Sequence, residues 1–489
     1  MSCTCEARHA GRVSRRCRKG VVSARSSGDS LDSAASVNGV AIIGAGPAGL
    51  SALHQLLTSS QSLKIEMIDS QVRIGGQYWR HQEGSEFPAI DFDPRKNSAQ
   101  SHEITWHLAS TVWQIEKLEG GFRIHLASNV GDVTSSVEVE KIIIATGASE
   151  RTLPFKNWTA PGVMSAGALQ SLAKEYQVIP GKRICIVGSG VFAMPVAKSI
   201  KETAKKMGTE VEVTIIEAQS MTRWWRNSLA FLLNPSKIFE ACGFLIFMKV
   251  NGVKRISKRM VRGVKIEAGG IVGLNVARVR SDLRPERGVE FLPGDLVATS
   301  FGFIPDMTLA SILGLERREL SGDVVVVVNA NQRTSIDGIW AAGEITGIGG
   351  HELAITEGAI AARDLLQRRS PLLKWRRVRQ RLFTRGLTKI YPVSNRWVES
   401  LDDADIVCRC EEVTAGEIKE SAHQLGADSA RTAKLFTRAG MGLCQGRICQ
   451  RNVKEIIDFV RSDGKSASDP NRETVRPIGG VVTLGGLSD

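Results

Sequence analysis

Short, fully apolar segments followed by glycine-rich turns recur along the chain. Residues 40–43 (VAII) run into the turn GAGPAG and then into the helical pattern SALHQLL. Residues 184–187 (ICIV) repeat this arrangement, and residues 142–144 (III) and 339–342 (IWAA) also end in a turn. Continuous apolar runs between turns are typical of strands buried on both faces of a parallel sheet. The pattern therefore predicts an α/β fold.

The chain changes character after residue 370. Residues 371–397 combine arginine and lysine with apolar residues at helical spacing. These apolar positions are Leu372, Leu373, Trp375, Val378, Leu382 and Phe383. The spacing predicts a helical linker that docks on the preceding domain with its arginines in solvent, and an acidic partner subunit is the alternative target of those arginines. Residues 413–426 and 452–460 then have the pattern of two further helices.

Length and charge narrow the classes of function. A chain of 489 residues is expected to form two or three domains. The net charge of +13 is concentrated in residues 1–25, with seven basic residues and one acid, and in residues 368–396, with ten basic residues and no acid. The rest is slightly acidic and shows no face of interleaved aromatic and basic residues, so we expect no nucleic-acid partner. The apolar runs, such as residues 244–248, are far shorter than a membrane span.

The first glycine-rich turn has the spacing of a dinucleotide-binding loop. Its candidate binding residues are Gly44, Gly46, Pro47, Ala48, Gly49 and Asp69. The three glycines permit a tight turn, close approach of a pyrophosphate and close packing of helix on strand, and a proline costs no hydrogen bond in the first helical turn. Asp69 ends the next strand, where a carboxylate accepts a hydrogen bond from the adenosine ribose. A purely structural turn is the alternative, but strand, loop, helix, strand and acid in this register favour a nucleotide.

Three further segments bear on the kind of nucleotide. Residues 73–77 (RIGGQ) follow the acid closely, and residues 142–147 (IIIATG) and 338–344 (GIWAAGE) are strands that end in turns. Gly349 and Gly350 then open an amphipathic helix, whose N-terminus favours the negative charge that develops on reduced flavin. These pieces, in this order, resemble the two-dinucleotide-binding-domain flavoproteins of the glutathione-reductase type.

That resemblance implies FAD in the first of two glutathione-reductase-like Rossmann domains. It adds candidate cofactor contacts in the later segments at Gly76, Gln77, Ala145, Thr146, Gly147, Gly343, Glu344 and Gly350. Glu344 is one methylene longer than the aspartate usual at its position. No cysteine pair follows residues 73–80, which excludes a disulfide-reductase mechanism.

A second dinucleotide loop begins at Gly188. With Gly190 and Ala193 it gives the spacing G-x-G-x-x-A, and the partner strand ends at Glu217, where an acid favours a free ribose hydroxyl over a 2′-phosphate. One interpretation is an NAD(P)-type site. The other is an inherited domain whose ligand was lost or changed to another adenine nucleotide, because a fold persists without its ligand.

Four cysteines near the end of the chain suit a soft metal centre. Cys408 and Cys410 form a C-x-C pair, and Cys444 and Cys449 form a C-x4-C pair. Thiolates bind iron–sulfur clusters and zinc alike, but structural zinc usually uses C-x2–4-C pairs. Glycines within residues 438–446 would let backbone N–H groups point at cluster sulfurs. We expect a [2Fe–2S] cluster, with zinc and unliganded thiols as alternatives.

The amino-acid sequence around these cysteines resembles the bacterioferritin-associated-ferredoxin-like [2Fe–2S] domain. Fused behind a flavin domain, it is similar to the α subunit of opine oxidases, hydrogen cyanide synthases and amino-acid dehydrogenases. The resemblance implies a small helical [2Fe–2S] domain with all four cysteines as ligands. It also implies a partner subunit that contains FAD, resembles D-amino-acid and glycine oxidases and oxidises a C–N bond, while this chain relays electrons. A small ferredoxin-like subunit is a further candidate partner.

Two other functions compete with this one. A self-sufficient NAD(P)H-dependent reductase would deliver hydride from the second loop to FAD. A redox or iron sensor would use the cluster as a reporter, but the flavin architecture would then be unnecessary. We expect a cytoplasmic protein, because the nine cysteines show no disulfide framework.

The expected domains follow from these motifs. They are a disordered basic extension (1–37), an FAD-binding domain (38–158 and 330–370), an NAD-like domain (159–329), a basic helical linker (371–400), a [2Fe–2S] domain (401–462) and a C-terminal tail (463–489). The extension is rich in Arg and Ser, which weakly suggests an organelle presequence, but a disordered segment or a misassigned start codon is favoured.

Overall fold

The computed structural model describes residues 39–60, 62–82, 84–85, 87, 102–130, 133–219, 235–280, 284–392, 395–461, 478–480 and 482. The expected basic extension (1–37) and almost all of the expected tail (463–489) lie outside these residues. Among the residues described, no helix is both long and apolar enough to cross a membrane.

Strands and helices alternate through the first two thirds of the described chain. The strands are β1 (Gly39–Ile43), β2 (Lys64–Ile68), β3 (Glu103–His107), β4 (Ser110–Leu118), β5 (Gly121–Ser128), β6 (Thr134–Val139), β7 (Lys141–Ile144), β8 (Ala148–Glu150), β9 (Val163–Ser165), β10 (Arg183–Gly188), β11 (Glu212–Glu217), β12 (Lys254–Ser257), β13 (Arg259–Glu267), β14 (Gly270–Val279), β15 (Pro285–Pro293), β16 (Leu296–Ser300), β17 (Phe303–Pro305), β18 (Arg317–Leu320), β19 (Asp323–Val326), β20 (Ile339–Ala341), β21 (Ile406–Cys408) and β22 (Val413–Thr414). The α-helices are α1 (Pro47–Leu57), α2 (Ala166–Tyr176), α3 (Ala193–Lys206), α4 (Pro235–Val250), α5 (Thr308–Ile312), α6 (His351–Leu365), α7 (Pro371–Ile390), α8 (Ala415–His423), α9 (Ala430–Thr437) and α10 (Gln450–Arg461), with 3-10 helices at Gly343–Thr346 and Asn395–Ser400.

The first sheet is parallel and has the strand order β20-β7-β1-β2-β3. All five residues of β1 are buried, because separate apolar cores pack on the two faces of the sheet. Helices α1 and α6 cover one face and cross closely at Gly358, where a Cβ would lie 2.0 Å from the Ala48 carbonyl oxygen. The antiparallel sheet β4-β5-β6 contributes to the core on the other face.

The second sheet repeats this plan with the order β12-β11-β10-β16-β9, again parallel. Helices α2, α3 and α4 contribute to the core on one face, and the antiparallel sheet β13-β14-β15 contributes to the core on the other. Two parallel sheets with their glycine loops confirm the predicted α/β fold of two dinucleotide-binding units.

Helix α7 contradicts the predicted orientation of the basic linker. Arg377 and Arg381 point inward, and their Nε atoms donate to the Glu357 carboxylate of α6 at 2.8 and 3.2 Å. Glu357 is completely buried. A buried carboxylate needs compensating positive charge, so these two arginines turn to the protein and the prediction of outward arginines is wrong for them. Leu372 and Trp375 lie exposed instead.

The last described part is a small, mostly helical unit. The β21–β22 hairpin and helices α8, α9 and α10 enclose an apolar core that includes Val407, Ile418 and Ile456. Helix α8 begins with a capping box, in which Thr414 and Glu417 satisfy each other's backbone N–H groups.

A largely buried ion-pair network, in which only Arg151 is fully buried, holds this unit against the rest of the chain. Arg151, which follows β8, donates from Nη2 to both carboxylate oxygens of Glu455 in α10 at 2.7 and 2.9 Å. Arg451 donates to the same carboxylate at 2.8 Å and pairs with Asp323 of β19. The indole N–H of Trp397 also donates to Glu455, at 2.6 Å. The small helical unit is therefore attached next to Arg151, just after β8. Strand β8 follows the turn that ends residues 142–147.

Replacing Glu455 tests this attachment. We expect Glu455→Gln to lower the free energy of unfolding by about 3 kcal/mol, because the buried Arg151 guanidinium loses its compensating charge. Urea unfolding followed by circular dichroism measures the change. The matched control is Glu202→Gln, which removes an exposed pair with Lys198 and should cost less than about 1 kcal/mol. Equal losses in both variants would contradict the structural role of Glu455.

The same carboxylate predicts a dependence of stability on pH. Burial alone would raise the pKa of Glu455, but Arg151 and Arg451 outweigh it and hold that pKa below its ordinary value of 4.5. The stabilisation is therefore complete above pH 4.5 and is lost as the pH falls through the lowered pKa of the folded state. Glu455→Gln should remove part of this acid dependence.

Candidate cofactor sites

The first glycine loop folds tightly at the carboxyl end of β1. Gly44 has a φ of +111°, and a Cβ there would lie 2.2 Å from the carbonyl oxygen of Ala145. A Cβ on Gly49 would lie 1.8 Å from the carbonyl oxygen of Gly44. Pro47 occupies the first turn of α1. Only glycine fits at these two positions, so the loop brings bare backbone to the edge of the sheet.

The later predicted segments converge on this loop. A Cβ on Gly76 would lie 2.8 Å from the Gly46 Cα, and one on Gly343 would lie 3.0 Å from the Ala48 Cβ. The structure therefore brings together Gly44, Gly46, Pro47, Ala48, Gly49, Gly76, Ala145 and Gly343. Open-sheet proteins bind nucleotides at this place, outside the carboxyl ends of the parallel strands.

The Asp69 side chain orders the first glycine loop through hydrogen bonds with the backbone. Its Oδ2 accepts a hydrogen bond from the Ala45 N–H at 2.6 Å, and its Oδ1 accepts one from the Gln71 N–H at 2.7 Å. Burial raises the pKa of this carboxyl, and the two backbone donors oppose that shift. An ionised carboxylate has about four acceptor sites, so this arrangement leaves acceptor capacity for ribose hydroxyls.

Two carboxylates, the half-buried Glu344 and the fully buried Glu357, shape the loop between β20 and α6. Glu344 accepts from the N–H groups of Gly349 and Gly350 at 2.9 and 2.8 Å. Glu357 accepts from the Gly343 N–H at 3.1 Å and from the Thr346 hydroxyl at 2.6 Å. Glu344 therefore holds its own loop through these two backbone contacts. Nothing in the sequence pattern singled out Glu357.

The other predicted residues lie at the edges of this region. The Thr146 hydroxyl and the Gly147 carbonyl contact the backbone of Asp306, and the Gln77 side chain contacts Arg80. His351, at the start of α6, stacks on Tyr78 with ring centroids 3.9 Å apart. The stack joins the segment after β2 to the helix that was predicted to face a flavin.

The second loop has the same close packing at its first glycine. A Cβ on Gly188 would lie 1.8 Å from the Ser300 carbonyl oxygen, whereas Gly190 faces open space. Glu217 is paired within the protein, because its Oε2 accepts from the Arg255 Nε at 2.8 Å. Its Oε1 is buried without a hydrogen-bond partner among the described residues, and so is the Gln219 Oε1. Two buried acceptors at the end of β11 fit the donors of a ribose.

One cavity of about 1080 Å³ joins the second glycine loop to the loop between β20 and α6. It is lined on one side by Gly188 and Gly190 and on the other by Glu344 and Gly350. It also reaches Trp397, beside the small helical unit. The cavity therefore connects the second nucleotide loop with the loop predicted to face a flavin.

The four predicted cysteines come together between the β21–β22 hairpin and the start of α10. The Sγ atoms of Cys408 and Cys410 lie 4.0 Å apart, and those of Cys410 and Cys444 lie 3.8 Å apart. Cys449 interacts with Cys408. Cys408 and Cys449 are buried, Cys444 is half-buried and Cys410 is exposed. The quartet thus has an inner side and a side at the surface.

The glycine-rich segment before Cys444 wraps this quartet. The Gly440 N–H points at the Cys408 Sγ, with 3.4 Å between nitrogen and sulfur. A Cβ on Gly442 would lie 2.4 Å from the Cys410 Sγ. Backbone N–H groups aimed at sulfur stabilise negative charge on a cluster.

The donor set is that of a two-iron cluster. A [2Fe–2S] cluster asks for four thiolates around two irons. Burial raises the pKa of the Cys449 thiol, and its cysteine neighbours raise it further. Binding of a metal cation would deprotonate such a thiol.

Comparison with known proteins agrees with this geometry. Residues 38–362 match the pyridine nucleotide-disulphide oxidoreductase family, and residues 406–458 match the BFD-like [2Fe-2S] binding domain. An opine oxidase subunit of Agrobacterium tumefaciens (strain Ach5) is 30% identical over 444 residues, which cover 85% of this chain and 84% of that protein. The chain belongs to this opine oxidase family of pyridine nucleotide-disulphide oxidoreductases.

Other relatives support the same placement. The hydrogen cyanide synthase subunit HcnB of Pseudomonas aeruginosa is 32% identical over 330 residues, which cover 64% of this chain and 69% of that protein. The crystal structure of L-proline dehydrogenase from P. horikoshii has a TM-score of 0.64 at 19% identity, covers 92% of this chain and 79% of its own, and shows the shared fold. The predicted resemblance is confirmed, and the cofactors of this flavin-dependent oxidoreductase are FAD and a [2Fe–2S] cluster.

The first glycine loop predicts the effect of a single methyl group. We expect Gly49→Ala to lose most of the bound FAD, because its Cβ collides with the Gly44 carbonyl and forces the loop open. Flavin absorbance per chain after purification measures the loss. Gly288→Ala is the control, since a Cβ there meets nothing within 4 Å. Full flavin content in Gly49→Ala would contradict the assignment of this loop.

The cysteine quartet predicts separable cofactors. We expect Cys410→Ser to abolish the electron paramagnetic resonance signal of the dithionite-reduced protein and to leave the flavin spectrum intact. Cys242→Ser, which changes an exposed cysteine of α4, should keep both signals. Loss of both signals in Cys410→Ser would show that the two centres are not independent.

Proposed function

We propose that this chain is the electron-transfer subunit of a heteromeric dehydrogenase that oxidises the C–N bond of an amino acid, an opine or a related amine. The observation that carries the proposal is the fixed placement of the cysteine quartet beside the flavin-type unit. The Arg151–Glu455 pair locks the two together. Electron transfer needs such a constant separation between centres.

The two cofactors have complementary chemistry. Flavin accepts two electrons together, and a [2Fe–2S] cluster passes them on singly. The residues of this chain supply the binding and the shielding. The glycine loop holds the nucleotide, and Gly440 and Gly442 let the backbone close around the sulfurs.

The polar side chains at the start of α6, the helix predicted to face the flavin, favour a partner subunit as the site of amine oxidation. His351 is stacked on Tyr78, and Glu352 is paired with Lys237 at 2.9 Å. Burial lowers the pKa of His351, and Lys237 lowers it further. Both side chains are engaged in contacts within the chain, which favours a partner as the site of amine oxidation.

We infer the partners from the relatives. Those proteins are named as subunits of opine oxidases and hydrogen cyanide synthases. The proposed partner is a second FAD-containing subunit that resembles D-amino-acid and glycine oxidases, with a small ferredoxin-like chain as a further member. We place the complex in the cytoplasm, where thiols stay reduced.

A second candidate function is an NAD(P)H-dependent oxidoreductase that needs no partner. The cavity that joins the second loop to the flavin-facing loop favours it, and so do the unpaired acceptors on Glu217 and Gln219. Anaerobic mixing with NADH or NADPH decides between the two. Absence of flavin bleaching within seconds removes this candidate.

Purification of the native complex tests the leading proposal. We expect the tagged chain, isolated from its own organism, to bring down a second flavoprotein. The complex should reduce an artificial acceptor with an amino acid or opine as donor. The chain alone should not, because the proposed site of amine oxidation belongs to the partner. Full activity of the isolated chain would contradict the proposal.

A further inference from the structure

Helix α7 is two-sided, and its polar side is the buried one. Gln380 and Thr384 are buried, and Arg377 and Arg381 reach the buried Glu357. The Nη1 of Arg381 also donates to the Gly347 carbonyl at 2.9 Å. The inner side of α7 therefore holds the loop between β20 and α6 through hydrogen bonds and ion pairs.

The opposite side of α7 is apolar and exposed. Leu372 is 81% exposed, Trp375 61%, Val378 57% and Leu382 41%. Spacings of three, three and four residues place these side chains along one side of a helix. We call these four residues the outer stripe. A row of large apolar side chains in water is costly for a lone chain and is typical of an interaction site.

Positive charge surrounds the outer stripe. Helix α7 contains seven Lys and Arg residues and no acid. Arg379 lies over the Trp375 ring, 4.9 Å from its centroid, and Arg376, Arg385 and Lys389 are exposed. A matching surface would combine an apolar patch with carboxylates around it.

The outer stripe continues to the mouth of the large cavity. Val378 and Leu382 line that cavity. Helix α4 lines it as well, and its apolar lining residues are Ala241 and Phe244. Both helices that border the opening therefore contribute apolar side chains to it.

We propose that the outer stripe and the mouth of this cavity are the docking surface for the catalytic flavoprotein of the complex, through an apolar patch ringed by carboxylates. This inference rests on the proposed function. A second copy of this chain is disfavoured, because the same basic helix would face itself. A lipid surface is disfavoured, because a bilayer cannot fill a concave opening. A protein docked here lies one helix away from the loop that Arg381 holds.

Co-purification with variants tests the surface. The test variant is Leu372→Ser/Trp375→Ser/Val378→Ser in the full-length tagged chain. Its control is Val133→Ser/Tyr176→Ser/Val289→Ser, which changes side chains that are 56% to 65% exposed elsewhere. We expect the test variant to bind the catalytic flavoprotein at least about tenfold more weakly and the control to bind normally. FAD content and the cluster signal should stay unchanged in both.

Charge provides an independent measurement. Arg376→Glu/Arg379→Glu should slow association, and the salt dependence of the association rate should fall. The triple serine variant and this charge-reversal variant both keep Arg377 and Arg381, so the buried contacts with Glu357 remain.

The outcomes separate the two proposals. If the wild-type chain brings down no flavoprotein, the proposed function fails. If it brings one down and the test variant does so equally well, only the docking surface is overturned. The surface assignment is also overturned if the outer stripe is instead needed for dimerisation of the isolated chain in analytical ultracentrifugation. Binding of the isolated chain to phosphatidylglycerol vesicles through the outer stripe would overturn it too.

Discussion

Glu455 is the residue on which the arrangement of the two cofactor units depends. Its carboxylate accepts from Arg151, Arg451 and Trp397, which belong to different parts of the chain. An ion pair with so little contact with water is strong only while every partner is present, because each charge left alone carries a large desolvation cost. The contacts of Glu455 therefore fix the small helical unit to the flavin-type unit.

Glu357 has an equivalent role on the other side of the flavin-type unit. It ties Gly343 and Thr346 of the loop to Arg377 and Arg381 of α7. The two arginines lower its pKa although burial opposes them, so the carboxylate stays charged and keeps its four partners. The loop predicted to face the flavin is thus held by the same helix that carries the outer stripe.

Both networks bear on electron transfer in the same way. The predicted nucleotide site consists of glycine-rich backbone and the Asp69 carboxylate, and the predicted cluster site consists of four thiols. The charges of Glu357, Glu455 and their arginines instead join separate helices and loops. These contacts fix the distances between those elements. A relay protein depends on such distances, whereas a self-contained amine oxidase would need free acid–base groups at its flavin.

The sequence by itself determined the fold class, the two glycine loops and the cysteine quartet. These features depend on local spacing: a turn without Cβ atoms, an acid at the end of the next strand, and cysteine pairs at short intervals. The resemblance of those motifs to known families pointed to FAD and the [2Fe–2S] cluster, and both are confirmed.

Only the tertiary structure decided the direction of the arginines in α7, the pairing of Glu217 with Arg255, and the partners of Glu344 and Glu455. Helical spacing shows which residues share a side of α7, but it does not show which side meets the protein. That choice was made by Glu357, a single buried charge on another helix, and the position of such a charge is known only once the elements are packed.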